Sequence, residues 1–176
     1  MIRILCLIVC LGMYAPAFSA SEVESIKGAT TVNALEAMNL YQQGALFVDV
    51  RDNFEYQLGH IRSAVHLDLK REFNDLYLIE TLDRNIPIVI YCNSAHCYRS
   101  AVATFLAVGW GYENVYYFKD GYFTWLALDF PATLSGDNPD AQPSQPDTYW
   151  RDVMQTALND LKVSQLSMPD ENPEKN

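Results

Sequence analysis

Short, nearly continuous apolar stretches alternate along this chain with segments whose apolar residues recur at helical spacing. Ala45-Leu46-Phe47-Val48-Asp49-Val50 reads as a strand buried on both faces, and Ala64-Val65-His66-Leu67, Ile88 to Tyr91 and Val115 to Phe118 read as further strands. Between them lie expected helices at Ala34 to Gln43, Lys70 to Leu82, Ser100 to Val108 (stopped by Gly109) and Tyr122 to Leu128. Asn53 to Leu58 reads as a helical turn closed by Gly59. Strands alternating with helices predict an α/β fold, a mainly parallel sheet flanked by helices on both faces. Reactive groups in such sheets gather at the carboxyl ends of the strands.

The pattern changes past Pro131. Residues 134–147 are rich in Pro, Asp, Gln and Ser and read as a linker. Within 148–166, Trp150, Val153, Met154, Ala157, Leu158 and Leu161 recur at helical spacing and predict an amphipathic helix. Docking on its own domain is favoured, with a protein partner as the alternative. Residues 167–176 are mostly polar and are expected to be disordered.

At the other end, residues 1–19 read as a signal peptide. Arg3 precedes an apolar run from Ile4 to about Met13, and Ala17-Phe18-Ser19 suits a signal peptidase. Cleavage is expected after Ser19, or after Ala20. The apolar run falls short of the roughly 20 residues that a membrane span needs. The chain is therefore expected to be exported, periplasmic in a Gram-negative cell and otherwise secreted, without stable membrane insertion after processing. Residues 20–133 remain as the main domain.

Composition narrows the chemistry. The chain carries a formal net charge of -10, and loss of Arg3, the only charge in the signal, takes it to -11. General attraction to nucleic acid or anionic lipid is excluded on that balance. The signal also removes Cys6 and Cys10, leaving Cys92 and Cys97 in one short segment. A disulfide across so short a loop would add little stability by loop entropy, so chemistry better explains the pair. Cys92 follows the strand Ile88–Tyr91 and precedes a helix expected to open near Arg99-Ser100. There the free N–H groups and positive end of the helix would favour a thiolate.

Several motifs in order resemble the rhodanese family of sulfurtransferases over roughly Thr30 to Pro131. They are Phe47-Val48-Asp49-Val50-Arg51, Gly59-His60-Ile61 with Ala64, Tyr91-Cys92 with Arg99-Ser100, Gly111-Tyr112-Glu113-Asn114-Val115-Tyr116, and Asp120-Gly121 with Trp125. The resemblance implies a rhodanese-like parallel sheet and a persulfide stored on Cys92. A small sulfur donor would supply the sulfane sulfur, and a thiol or a cyanide-like acceptor would receive it. The chain departs from the family in its loop, where Asn93 to Tyr98 make six residues between the cysteine and the arginine instead of four, and no glycine lies at the centre. Ser63-Ala64 replaces the usual Gly-Ala, and His66 stands where a small polar residue is common. Cys92 and Cys97-Tyr98 also loosely resemble an exported subgroup with a Cys-x-x-Cys-Trp motif.

Cys92 is the expected nucleophile, with Cys97 and Arg99 as further catalytic candidates. Cys97 would resolve a persulfide, guard the site as a redox partner, or be incidental. Arg99 would bind an anionic donor or brace the loop. Asn93, Ser94, Ala95, His96, Tyr98 and Ser100 are expected to line the substrate, and His96 would also tune Cys92 or simply be exposed. Asp49 and Arg51 are expected to brace the loop as an ion pair, and His60 to be a structural hydrogen-bonder. The spacing matches no common zinc pattern, so no metal and no cofactor are expected. Two other readings stand beside the sulfurtransferase: a thiol-disulfide redox protein using Cys92 and Cys97, and a non-catalytic binding module. A phosphatase is more remote, because the loop holds no acidic residue to protonate a leaving group.

Overall fold

The computed structural model describes residues 23–136 and 149–167. The signal segment with its cleavage positions, most of the linker and nearly all of the polar tail lie outside the described residues. Five parallel strands form the main sheet: β1 (Thr30–Val32), β2 (Leu46–Asp49), β4 (Val65–His66), β5 (Ile88–Tyr91) and β6 (Val115–Phe118). Their order is β1-β6-β5-β2-β4, and β3 (Gly59–Ile61) pairs with β7 (Ala132–Leu134) in a separate antiparallel ribbon.

Side-chain alternation divides two cores between the faces of this sheet. Leu46, Val48 and Val50 with Ile88, Ile90 and Cys92 enter one core, whereas Phe47, Val89 and Tyr91 enter the other. Both sets are buried, so these strands read as unbroken apolar runs in the sequence. The Phe47 face is covered by α1 (Ala34–Gln42) and α5 (Gly121–Ala127), through Ala37, Tyr41 and Trp125. Trp125 is fully buried and donates from Nε1 to the Pro131 carbonyl at 2.9 Å. The Val48 face is covered by α3 (Asp75–Leu78), α4 (Tyr98–Gly109) and α6 (Tyr149–Leu166).

Capping boxes start two helices. Asn33 accepts from the Glu36 amide while Glu36 accepts from the Asn33 amide, and Asp52 and Glu55 do the same for α2 (Asn53–Leu58). Helix α6 lies against β2, β4 and α3, with Met154 and Leu158 buried in the Val48-face core.

Two expectations about local structure need correction, and three short strands add to the elements expected from the sequence. The helix expected over Lys70 to Leu82 shrinks to the four residues of α3. Its buried apolar residues Phe73, Leu76, Ile79 and Leu82 recur every third position. The amides of Asp75, Leu76 and Tyr77 accordingly bond three residues back, in the tighter geometry that suits such spacing. The helix after the cysteines opens at Tyr98, two residues early, and Gly109 lies within it. The turn belongs to Gly111, whose φ of 88° is left-handed. Finally, β1, β3 and β7 are each three residues long, too short for alternation to reveal.

Candidate active site

The loop from Cys92 to Cys97 joins β5 to α4 at the carboxyl end of the sheet. Residues bracketing the loop hold it from two sides. On one, the Tyr122 amide donates to the Cys92 carbonyl at 2.8 Å and the Phe123 amide to the Asn93 carbonyl at 3.0 Å. Gly121 makes this approach possible: its φ is +69°, and a Cβ there would lie 2.5 Å from the Cys92 oxygen.

On the other side stands a buried ion pair. Arg51 is 2 % exposed and Asp49 is fully buried, with Nη2 of Arg51 2.6 Å from Oδ2 of Asp49. The arginine Nε also donates to Asp49, Nη2 to the Gly59 carbonyl at 2.7 Å, and Nη1 to Oδ1 of Asn93 at 3.2 Å. Burial opposes the guanidinium charge, but the Asp49 carboxylate outweighs it and raises the Arg51 pKa above its ordinary value. The Tyr122 ring stacks on Arg51, its centroid 4.3 Å from the guanidinium carbon. One guanidinium thus links β2, β3 and the cysteine loop.

Cys92 and Cys97 are joined by a disulfide, with their Cα atoms 6.2 Å apart. The thiolate expected at Cys92 is therefore replaced here by the oxidised form. Cys92 is buried and Cys97 only partly so. Cys97 is also the N-cap residue of α4, yet its side chain makes no capping hydrogen bond. Arg99 donates from Nε to the Cys97 sulfur at 3.3 Å, and its Nη2 lies 2.6 Å from Oε2 of Glu55. Its Nη1 is 3.6 Å from Asp52. Arg99 is thus held by the N-cap and first-turn carboxylates of α2, Asp52 and Glu55, and presents no open fork to a donor anion.

The residues expected to line a substrate divide. Ser94 and Ala95 are partly exposed, and His96 and Tyr98 are exposed on the loop. Asn93 is committed to the wall, accepting from Arg51 and donating to Glu55. Ser100 is a correction: it is fully buried, and its hydroxyl donates to the Cys97 carbonyl at 3.3 Å, so it anchors the loop out of reach of a substrate. His60 and His66 sandwich the Tyr56 ring, at centroid distances of 3.9 and 4.4 Å. His66 Nε2 lies 2.9 Å from the Arg51 carbonyl, and His60 Nδ1 lies 3.1 Å from that of Tyr56. Burial lowers the His60 pKa, only partly offset by that carbonyl.

Comparison with known proteins fits this geometry. Residues 25–128 match the model of the rhodanese-like domain. The chain belongs to the rhodanese-like family. Among curated relatives, the thiosulfate sulfurtransferase GlpE of Haemophilus influenzae (strain PittEE) is 38% identical over 96 residues, covering 54% of this chain and 87% of that protein. The GlpE of Pseudomonas fluorescens (strain SBW25) is 33% identical over 102 residues, covering 58% and 88%. A rhodanese-like domain from Anabaena shares the fold at a TM-score of 0.52 and 22% identity, over 68% of this chain and 88% of that one. These relatives support a sulfurtransferase as the enzyme class.

Within this rhodanese-like domain the sequence reading missed Glu55 and Asp52. No acidic residue stands in the cysteine loop, but α2 brings two carboxylates to it from about 40 positions away. The available signal was the Asp52-x-x-Glu55 capping box directly after the Asp49-Val50-Arg51 strand end. That pattern places both carboxylates at the first turn of a helix leaving the carboxyl end of β2, beside β5. Around the two sulfurs the site therefore gathers two guanidinium groups, Arg51 and Arg99, against the three carboxylates of Asp49, Asp52 and Glu55. Among the described residues, no cluster of His, Cys, Asp and Glu suits a metal ion.

Proposed function

We propose that the chain is an exported sulfurtransferase that stores sulfane sulfur as a persulfide on reduced Cys92. The observation that carries this reading is the placement of Cys92 in a rhodanese-like domain, at the carboxyl end of β5 with its backbone pinned by the α5 amides. The curated relatives are named for thiosulfate, which suits a nucleophilic thiol.

The half-reaction follows from the chemistry of the thiol. After reduction of the disulfide, the Cys92 thiolate attacks the outer sulfur of thiosulfate. A sulfur–sulfur bond forms to Cys92, the donor's own sulfur–sulfur bond breaks, and sulfite leaves with the electron pair. A thiophilic acceptor then removes the outer sulfur and returns the thiolate. Arg99 is the cation at the loop to meet the donor, provided it exchanges Glu55 and Asp52 for the anion. Export rests on the sequence of residues 1–19, and the mature chain is expected to start at Ala20, or at Ser21.

The intact mass of the reduced mature protein after brief exposure to thiosulfate, together with the sulfite released, tests the reading. Release of one sulfite per chain, with a gain of one sulfur atom retained in Cys97→Ser, both absent in Cys92→Ser and the added sulfur removed by cyanide, supports it; no sulfite from wild type and no gain in Cys97→Ser reject it. The Cys92–Cys97 disulfide favours a second reading, a dithiol redox protein. That reading requires reversible loss of two hydrogens on mild oxidation together with no sulfite released from thiosulfate.

A further inference from the structure

We propose that Cys97 turns the persulfide of Cys92 over within the same loop, releasing sulfide and leaving the Cys92–Cys97 disulfide. The inference rests on the persulfide reading above and adds the fate of the sulfur. Three observations carry it. The two Sγ atoms are bonded, so the loop lets Cys97 reach the inner sulfur of a Cys92 persulfide. Arg99 donates to Cys97 at 3.3 Å, and a guanidinium beside a thiol favours its thiolate, the attacking form. Cys97 is part-exposed while Cys92 is only 1% exposed, so the sulfur open to solvent is the resolving one.

The step balances without an outside oxidant. The Cys97 thiolate attacks Sγ of Cys92, the Sγ92–Sγ97 bond forms, and the bond between Sγ92 and the sulfane sulfur breaks. Hydrosulfide leaves with that electron pair. The sulfane sulfur is reduced to sulfide, and the two cysteines are oxidised to the disulfide. A new cycle needs a dithiol reductant. Its thiolate enters at the part-exposed Cys97, displacing Cys92 as the leaving thiolate, and its second thiol then attacks the mixed disulfide, releasing the Cys97 thiolate and leaving as a disulfide of the reductant.

The test uses the full mature chain, reduced, freed of reductant and exposed to excess thiosulfate, with sulfite, sulfide and intact mass followed together. Wild type is expected to release one sulfite and one sulfide per chain, lose two hydrogens, and stop until a dithiol such as dithiothreitol is added. Cys97→Ser, and Cys97→Ala as a second variant, are expected to release one sulfite, no sulfide, and keep one added sulfur. Wild type that releases sulfite but no sulfide, and holds the added sulfur as long as Cys97→Ser does, overturns the inference and leaves the persulfide reading standing. Absence of sulfite from all three proteins overturns both.

Discussion

Removing the Arg51 side chain probes how the sheet holds the cysteine loop. The guanidinium is 2 % exposed and faces a fully buried Asp49 at 2.6 Å. Arg51→Met strands a buried carboxylate, a change that costs about 3–5 kcal/mol. Asp49→Leu strands the guanidinium at a similar cost. The double variant removes both charges and leaves the Gly59 carbonyl, the Asn93 amide oxygen and the backbone amide of residue 51 without their partners. At about 1 kcal/mol for each lost hydrogen bond, it is expected to cost roughly 2–3 kcal/mol, well below the sum of the singles. The measurement is urea unfolding of the oxidised mature chain, followed by the fluorescence of buried Trp125. With a slope of about 2 kcal/mol per molar urea, each single variant should lose about 1.5–2.5 M in midpoint and the double about 1–1.5 M. Additivity of the singles within about 0.5 kcal/mol would refute the coupling. Such a loss takes a large part of a typical total of about 5–15 kcal/mol, so Arg51→Lys provides a milder companion. Lysine keeps the charge and loses the fork, so it should retain most of the stability while sulfur loading on Cys92 slows.

Gly121→Ala should cost about 2–4 kcal/mol, from a left-handed alanine and from loss of the hydrogen bond that the Tyr122 amide donates to the Cys92 carbonyl; unchanged urea midpoint and sulfur loading would show that the close approach is not needed. Glu55→Gln removes one carboxylate from Arg99, and the KM for thiosulfate should fall about two- to fivefold, the range of a part-exposed ion pair; an unchanged or higher KM contradicts a competition between Glu55 and the donor. Burial lowers the His60 pKa below its ordinary value in the folded chain. Protonation is then favoured in the unfolded chain, so its contribution to stability is full above about pH 6.5 and is lost as pH falls through the lowered folded value. His60→Gln should flatten the urea midpoint against pH in that range, and an unchanged slope would assign the acid sensitivity elsewhere.

What the chain itself determined is whatever depends on local pattern. The apolar runs at Leu46–Asp49, Ile88–Tyr91 and Val115–Phe118 are unbroken because both faces of a central parallel sheet are buried, and this places Cys92 at a strand's carboxyl end. The Asp49-Val50-Arg51, Gly59-His60-Ile61 and Tyr91-Cys92 motifs carry the family for the same reason: each is a few adjacent residues. Spacing also showed the apolar stripe of α6, while the core it enters, beside β2, β4 and α3, is a matter of packing.

Only the tertiary structure decided the rest. The three-residue strands β1, β3 and β7 depend on partners distant in sequence. So does the surrounding of Arg99 by Asp52 and Glu55, because α2 and the loop meet only when β2 and β5 pair. The removal of Ser100 from the substrate side follows from the turn of α4 beneath the loop. Two cysteines five positions apart allow either free thiols or a bond, and the loop's conformation brings the two sulfurs within bonding reach. The difference is physical: burial periodicity is written into adjacent residues, whereas the charge and redox chemistry of this site arise between side chains that only the assembled sheet brings together.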